Sequence, residues 1–533
     1  MAEIRCIGRA ASPGVAIGTL YVLQAIAEGS RSAGTPGEEQ AALAEAIEGA
    51  KAALAELIAA GEDEAVEILS FQLAMLEDEA LTGPAQAEIA AGLSADRAWR
   101  KTLDAEIAGY AASDDEYFRA RVTDLEDIRD GVLQRLGGHQ VGALPEGAII
   151  AAEDITPSRF LSHDWRRGGA IALAKGSPSS HVAMLARARH VPMVVGIDFD
   201  PAKLKSGASV IVDGEAGIIV LEPGPDSHRA ASVKIAEVAR VEAEAQHFLK
   251  RPAVTRDGTG VAVLINLASP EELVGLDPAI CDGIGLVRTE LLFHGGHGLP
   301  GEDQQYTAYR QILEWAAGRP VIVRTLDAGG DKPIPGVTED GEGNPFLGLR
   351  GLRLSLKRPE LFRVQLRALC RAAPAGRLKI MLPMVTVPAE LEAAREHLDA
   401  VEAELVRAGV AHKRPPLGIM VEVPSVGLTP ERFAADFFSI GSNDLTQYVM
   451  AAARDLASVA YLADTRDPAV LSLIARVAAH GEAHGIEVSL CGDAGSDPGL
   501  VPHLLRAGLR RLSAAPGAVG RVKAAIAGVD LGA

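Results

Sequence analysis

Eight strand-like runs alternate with mostly helical stretches over residues 253–533, and this repeat constrains the fold more than any other feature of the chain. The runs are VAVLINL, GIGLVR, VIVRTLD, LKIMLPMV, LGIMVEVP, FFSIGSND, EVSLCGD and RRLSAAP. Eight such alternations point to a (β/α)8 barrel. Asn266, Arg288, Arg324, Asp327, Glu422, Asn443, Asp444 and Cys491 all fall at or just past the C-terminal ends of these runs. Strand interiors call for apolar side chains, so packing does not explain this clustering. The C-terminal end of the strands is where barrel active sites are built.

The residue types at that rim indicate the chemistry. Glu422 and Asp444 end two consecutive strands and offer the hard oxygen ligands that magnesium takes when a substrate phosphate completes its octahedron. Arg288, Arg324, Lys332, Arg350 and Arg454 come from separate segments. A single arginine after a strand is usually a surface salt bridge. Five cations, most of them at one rim beside two carboxylates, favour a site for phosphate and carboxylate, which guanidinium forks bind bidentately. Cys491 reads in two ways: a small buried hydrophobe, or a thiol placed to give or take a proton. His294 and His297, in HGGHG, lack an acidic neighbour and read as a loop over the barrel mouth, not a metal site.

The first half is organised differently. Residues 1–25 and 143–224 carry short strand-like runs and are expected to form one α/β domain. Residues 30–138 show helical periodicity and read as helical hairpins threaded into that domain, with breaks at Thr82-Gly83-Pro84 and Ser113-Asp114-Asp115. Residues 226–250 are polar and helical, as in a stiff connector where a hinge is expected. Within this half, GSPSSHVAMLARA places His181 at a helix start. Backbone N–H groups there suit a phosphoryl group carried on imidazole. The segment reads equally well as a helix capped by Ser180 with an incidental histidine.

Charge separates the halves too. The net charge is −19, which argues against nucleic acid as a partner, and residues 1–150 hold 26 acidic and 11 basic side chains. Such an acidic helical stretch is either a solvated face or a docking surface for a basic protein. The start of the chain has no apolar leader segment, and no run approaches the ~18 apolar residues of a membrane span. The four cysteines form no CxxC pair. A cytoplasmic enzyme without membrane insertion is expected.

The motifs carry a resemblance. SSHVAMLARA, GIGLVRTELLF, VIVRTLDAGGDK, NPFLGLRGLR, GIMVEVPS, IGSNDLTQY and LCGDAG occur in the order found in the Enzyme I family of the bacterial phosphotransferase system. ASPGVAIG near the start and AMLEDEAL in the helical stretch are also similar to that family, so the likeness covers essentially the whole chain. It implies that residues 1–25 and 143–224 form a swivelling phosphohistidine domain, with an inserted helical subdomain that docks the small phosphocarrier HPr. It implies a barrel that binds phosphoenolpyruvate and dimerises. By resemblance His181 is the phosphorylated nucleophile, and Glu422 and Asp444 hold Mg2+. Arg288, Arg324, Asn443, Asp444 and Arg454 would bind substrate, assisted by Lys332 and Arg350. Cys491 would protonate the enolpyruvate carbon as pyruvate forms. The implied output is sugar uptake or its regulatory branch. The sequence departs from the family pattern at Pro178 and Ser179 before Ser180-His181, at Ala453 before Arg454, and at Asp493 after Cys491-Gly492.

Two rivals differ in testable ways. The barrel motifs are shared with phosphoenolpyruvate synthase and pyruvate phosphate dikinase, but those enzymes need a large nucleotide-binding domain. Here only about 150 residues precede the phosphohistidine segment, and they hold no Gly-rich phosphate loop. A regulatory protein that binds phosphoenolpyruvate without turnover is weakened by the presence of His181, Glu422, Asp444 and Cys491.

Overall fold

The computed structural model describes residues 3–23, 33–60, 63–113, 121–137, 144–293, 299–330, 332–339, 341–453, 456 and 458–532. The chain divides into two compact units, Met1–Ala239 and Arg240–Ala533, and the division falls inside the helix Pro225–Leu249.

The first unit is built on an eight-stranded sheet. Its strands are β1 (Ile4–Ile7), β2 (Arg9–Ser12), β3 (Val15–Val22), β4 (Ile149–Ala152), β5 (Ala170–Leu173), β6 (Met193–Val195), β7 (Ser209–Asp213) and β8 (Ile218–Leu221), in the order β1-β8-β7-β3-β4-β5-β6-β2. The four central strands β3, β4, β5 and β6 run parallel, and antiparallel strands flank them on both sides. Alternation along β4 shows how the sheet is covered. Ile150 belongs to a large core shared with helical residues such as Leu43, Ile89, Trp99 and Leu125. Its neighbour Ile149 points the other way, into a smaller core with Leu20, Val194 and Val212.

Most helical residues of that large core lie between β3 and β4, in Pro36–Ala60, Asp63–Glu77, Glu79–Ala90, Ala95–Ala111 and Val122–Leu136, and others come from Pro157–Leu161 and His181–Ala188. One expected break is displaced. Pro84 lies inside Glu79–Ala90, and the interruption comes earlier, at Asp78. The Asp78 carboxylate accepts from Ala80 N at 2.8 Å and starts a new helix there. The Asp114-Asp115 break lies outside the described residues.

The second unit contains the barrel. Strands β10 (Gly260–Leu267), β11 (Ile284–Val287), β12 (Pro320–Arg324), β13 (Arg377–Leu382), β14 (Leu417–Val421), β15 (Phe437–Ile440), β16 (Glu487–Cys491) and β17 (Arg511–Ala514) are all parallel, and β10 pairs with both β11 and β17 to close the ring. The two-residue β9 (Ala253–Val254) adds antiparallel to β10. Leu286, Ile322, Met381, Met420, Phe437 and Cys491 fill the interior. Their strand neighbours, among them Val287, Val321, Val323, Ile380, Ile419, Val421 and Phe438, pack outward against the helices. Gly418 makes room for this filling, because a Cβ there would lie 2.5 Å from the Phe437 ring. A parallel sheet buried on both faces is why these strands read as near-continuous apolar runs.

Candidate active site in the barrel and the histidine of the first unit

At the C-terminal ends of the barrel strands lies a cavity of about 300 Å3. Of the expected site residues, Arg288, Arg324, Lys332, Glu422, Asn443, Asp444 and Cys491 line it. Arg454, His294 and His297 lie outside the described residues. Asn266 does not line the cavity, and its amide donates to Ser513 O at 3.4 Å.

A buried charge network sets the cavity's geometry. Asp327, fully buried, stands 3.1 Å from Arg324 Nη1, 3.2 Å from Lys332 Nζ and 3.0 Å from Arg350 Nε. Burial opposes its charge, yet Arg324, Lys332 and Arg350 together hold its carboxyl far below the usual carboxylate range. Arg350 was expected at the substrate. It is instead 0% exposed and absent from the cavity lining, with its guanidinium bridging Asp327 and Asp444. It positions Asp444 from behind.

Arg324 is fixed in a different way. Its Nη2 lies 3.0 Å from Glu290 Oε1, and that same oxygen accepts from Asp327 N. Its Nε is buried and has no hydrogen-bond partner among the described residues. Arg288, by contrast, makes no ion pair among the described residues, so its guanidinium keeps donor capacity for an anion.

Two backbone features serve the carboxylates. Gly351, at φ 60°, follows Arg350 directly, and a Cβ there would come 2.9 Å from the Met384 side chain. Met384 itself adopts φ 57°, a left-handed conformation that is strained for a non-glycine residue, and its N–H donates to Glu422 Oε1 at 2.6 Å. Burial and the neighbouring Asp444 push the Glu422 carboxyl up to about 8. A cation between the two carboxylates would reverse that shift. Among the described residues no group of three or more His, Cys, Asp or Glu side chains forms a metal cage. Two carboxylates at an anion pocket fit the hard cation that keeps several waters and binds through substrate oxygens.

Cys491 closes the cavity floor at the end of β16. Its Sγ accepts from Ser439 Oγ at 3.1 Å, and Ser439 accepts in turn from Ser489 Oγ at 3.1 Å. Burial pushes the thiol up to about 11, so it carries its proton at neutral pH. Asn443 is clamped to Asp493, donating to its carboxylate at 3.0 Å and accepting from its backbone N–H at 2.9 Å. Asp493, one of the departures from the family pattern, is thus part of the cavity wall.

In the first unit, Ser180 caps the helix His181–Ala188, its Oγ accepting from Ala183 N at 3.3 Å. The cap is real, and the histidine is not idle. His181 Nδ1 lies 3.2 Å from Asp124 Oδ1, and the other oxygen of Asp124 pairs with Arg121 at 3.2 Å. Asp124 is fully buried while the His181 side chain is 16% exposed. A carboxylate at Nδ1 accepts the proton there and leaves the Nε2 lone pair free. Asp124 comes from the inserted helix Val122–Leu136, 57 residues away in sequence. No local pattern points to it. Burial also qualifies the acidity of this region: Glu39, Asp96, Asp124 and Asp127 are buried and serve the interior.

Comparison with known sequences classifies the fold and site. Residues 242–531 match the PEP-utilising enzyme PEP-binding domain, residues 7–121 the N-terminal domain and residues 144–217 the mobile domain of the same enzymes. The class is that of the PEP-utilising enzymes. The phosphoenolpyruvate-protein phosphotransferase of Geobacillus stearothermophilus is 38% identical over 524 residues, covering 95% of this chain and 90% of that one. Its counterpart in Bacillus subtilis is 36% identical over 536 residues, covering 96% and 92%. A multiphosphoryl transfer protein of Rhodobacter capsulatus is 40% identical over 455 residues, which are 84% of this chain and 54% of that protein. The chain belongs to the phosphoenolpyruvate-protein phosphotransferase family and is an enzyme of phosphoenolpyruvate-dependent phosphoryl transfer. No helix among the described residues is long and apolar enough to cross a membrane.

Proposed function

We propose that the enzyme moves the phosphoryl group of phosphoenolpyruvate to Nε2 of its own His181 and then to a histidine of the phosphocarrier HPr, releasing pyruvate. This is the first step of a phosphotransferase system for sugar uptake or of its regulatory branch. The observation that carries the reading is the cavity wall, where the unpaired Arg288 guanidinium, Arg324, two adjacent carboxylates and a protonated thiol face one small space.

Arg288 and Arg324 hold the phosphate and carboxylate of the substrate, and Asn443 and Lys332 complete the donor set. Arg454 belongs to the same reading. Glu422 and Asp444 would hold Mg2+, which supplies charge neutralisation on the phosphoryl oxygens. Asp124 keeps the His181 proton on Nδ1 so that Nε2 attacks phosphorus as the bond to the enolate oxygen breaks. The electron pair released forms the enolate of pyruvate, and the Cys491 thiol gives its proton to the methylene carbon. Solvent restores that proton.

The acidic helices of residues 30–138 dock the basic face of the carrier, supported by the excess of 15 negative charges over residues 1–150. A homodimer through the barrel belongs to the same reading, and exposed Tyr461, Leu462 and Leu428 offer it apolar surface. The reading also has the enzyme work in the cytoplasm.

The full chain, phosphoenolpyruvate, Mg2+ and purified HPr test the proposal together. One pyruvate is expected per phosphate on the carrier, with no nucleotide required. Pyruvate released as inorganic phosphate accumulates, or transfer that waits on ATP, would contradict it.

A further inference from the structure

The interior of the barrel holds hydroxyls where such folds ordinarily place branched apolar side chains. Ser439 on β15 and Ser489 on β16 are register partners, and both are buried. Ser439 lies two positions after the interior Phe437, and Ser489 two before Cys491, so both face the same interior. Burying a hydroxyl is unfavourable unless it is hydrogen-bonded. Alanine would fill nearly the same space without a polar atom.

The bonds of the two serines form a chain with one direction. Ser489 Oγ donates to Ser439 Oγ at 3.1 Å, and Ser439 Oγ donates to Cys491 Sγ at 3.1 Å. Each hydroxyl has a single proton to give. Two protons cannot both lie between one oxygen and one sulfur, so the thiol's own proton points away from Ser439. Cys491 lines the barrel cavity, and that is the space its proton can turn into. Ser513, the register partner of Cys491 on β17, does not compete for it. Its Oγ has no hydrogen-bond partner among the described residues, and it stands only 2.5 Å from where a Cβ on Gly285 would lie. That serine is a small side chain at a close contact.

We infer that Ser489 and Ser439 are positioning residues that aim the Cys491 proton into the cavity, an inference that rests on the reading of Cys491 as proton donor to the enolate. In that step the enolate's electron pair forms the new C–H bond, and the S–H pair stays on sulfur as a thiolate. The Ser439 O–H already points at that sulfur and stabilises its charge without reorganising. Without Ser489, Ser439 Oγ is open to accept, and the thiol turns its proton into that bond and away from the substrate. Ser489 touches neither the sulfur nor the cavity, yet its loss should matter as much as the loss of Ser439.

The test uses the full-length enzyme and its Ser489→Ala, Ser489→Thr, Ser439→Ala and Cys491→Ala variants. Infrared difference spectra against Cys491→Ala isolate the sulfhydryl stretch of Cys491 without substrate. In Ser489→Ala the band should move to lower frequency, as the thiol becomes a hydrogen-bond donor. It should stay in place in Ser489→Thr, which keeps the hydroxyl, and should not fall in Ser439→Ala, which removes the acceptor. Pyruvate formation in a single turnover should slow about two- to tenfold in Ser489→Ala with KM for phosphoenolpyruvate unchanged. Adding Ser489→Ala to Ser439→Ala should slow it no further, because the two act as one chain. A wild-type band or a wild-type rate in Ser489→Ala, folded by its melting transition, would overturn the inference. Wild-type pyruvate formation in Cys491→Ala would instead remove the donor itself, and the inference with it.

Discussion

The barrel cavity and the His181 site solve opposite problems, and their construction differs accordingly. In the barrel a charge network holds the site together: Asp327 alone takes contacts from Arg324, Lys332 and Arg350. His181 is held by a cap on its helix and a single contact from Asp124. Arg324, Asp327, Arg350, Glu422 and Asp444 are buried, whereas the histidine retains exposure. A site that stabilises charge in a transition state gains from donors fixed in advance. A group that must receive a phosphoryl from one partner and give it to another needs a defined tautomer and an open nitrogen, and little else. On the proposed reading, the dense network marks the place where charge is neutralised, and the sparse one the group that carries cargo.

The comparison breaks first at Asp327. Asp327→Asn should cost on the order of 3–5 kcal/mol, because it leaves three cations facing a buried space without their shared counter-charge. Urea unfolding followed by the barrel's far-ultraviolet signal measures this, and a loss below about 1 kcal/mol would show that the network is not what holds the mouth together.

Next in size is Glu422→Gln, which keeps the planar shape of the carboxylate and an oxygen to accept from Met384 N. It should slow pyruvate release on the order of 10³-fold. A rate within a few-fold of wild type would remove Glu422 from the charge-handling role.

Asp124→Asn sharpens the contrast, since it touches the lightly held site. Phosphorylation of His181 should slow about 10²-fold as the ring loses its fixed tautomer and orientation. Stability should change far less than in the Asp327 variant. An Asp124 variant that unfolds like the Asp327 one would erase the distinction between the two regions.

The smallest effect concerns Cys491. Ser439→Ala removes one hydrogen bond to its sulfur, worth about 0.5–1.5 kcal/mol, so pyruvate formation should fall by roughly two- to tenfold. Burial raises the thiol, so the proton is present below about pH 11 and lost only above it. Thiolate absorbance from Cys491 should therefore be absent in the folded enzyme at pH 9. Its appearance there would mean a more polar floor than the structure has.

The barrel was legible because its signal is local. Eight apolar runs buried on both faces stand out from their helices, and polar residues at their ends mark the mouth. The sequence was less informative wherever burial decides a role. Arg350 reads like the other rim cations, and only the fold shows it behind the cavity, bonded to Asp327 and Asp444. Pro84 reads as a helix break, but the Asp78 cap sets the interruption six residues earlier. Asp124 was beyond reach, since its meeting with His181 joins two segments with no common pattern. The acidity of the first 150 residues was visible as a sum, while the division between surface charge and interior charge such as Glu39 was not.

The most direct test of the central claim is to map the phosphoryl group itself. The full-length enzyme would be incubated with Mg2+ and phosphoenolpyruvate labelled in the phosphate, then digested under alkaline conditions. We expect one acid-labile label per chain in the peptide that contains His181, with the phosphorus on Nε2 by nuclear magnetic resonance. The His181→Ala variant should carry no label and still bind phosphoenolpyruvate. Label on another residue, or undiminished label in that variant, would contradict the account.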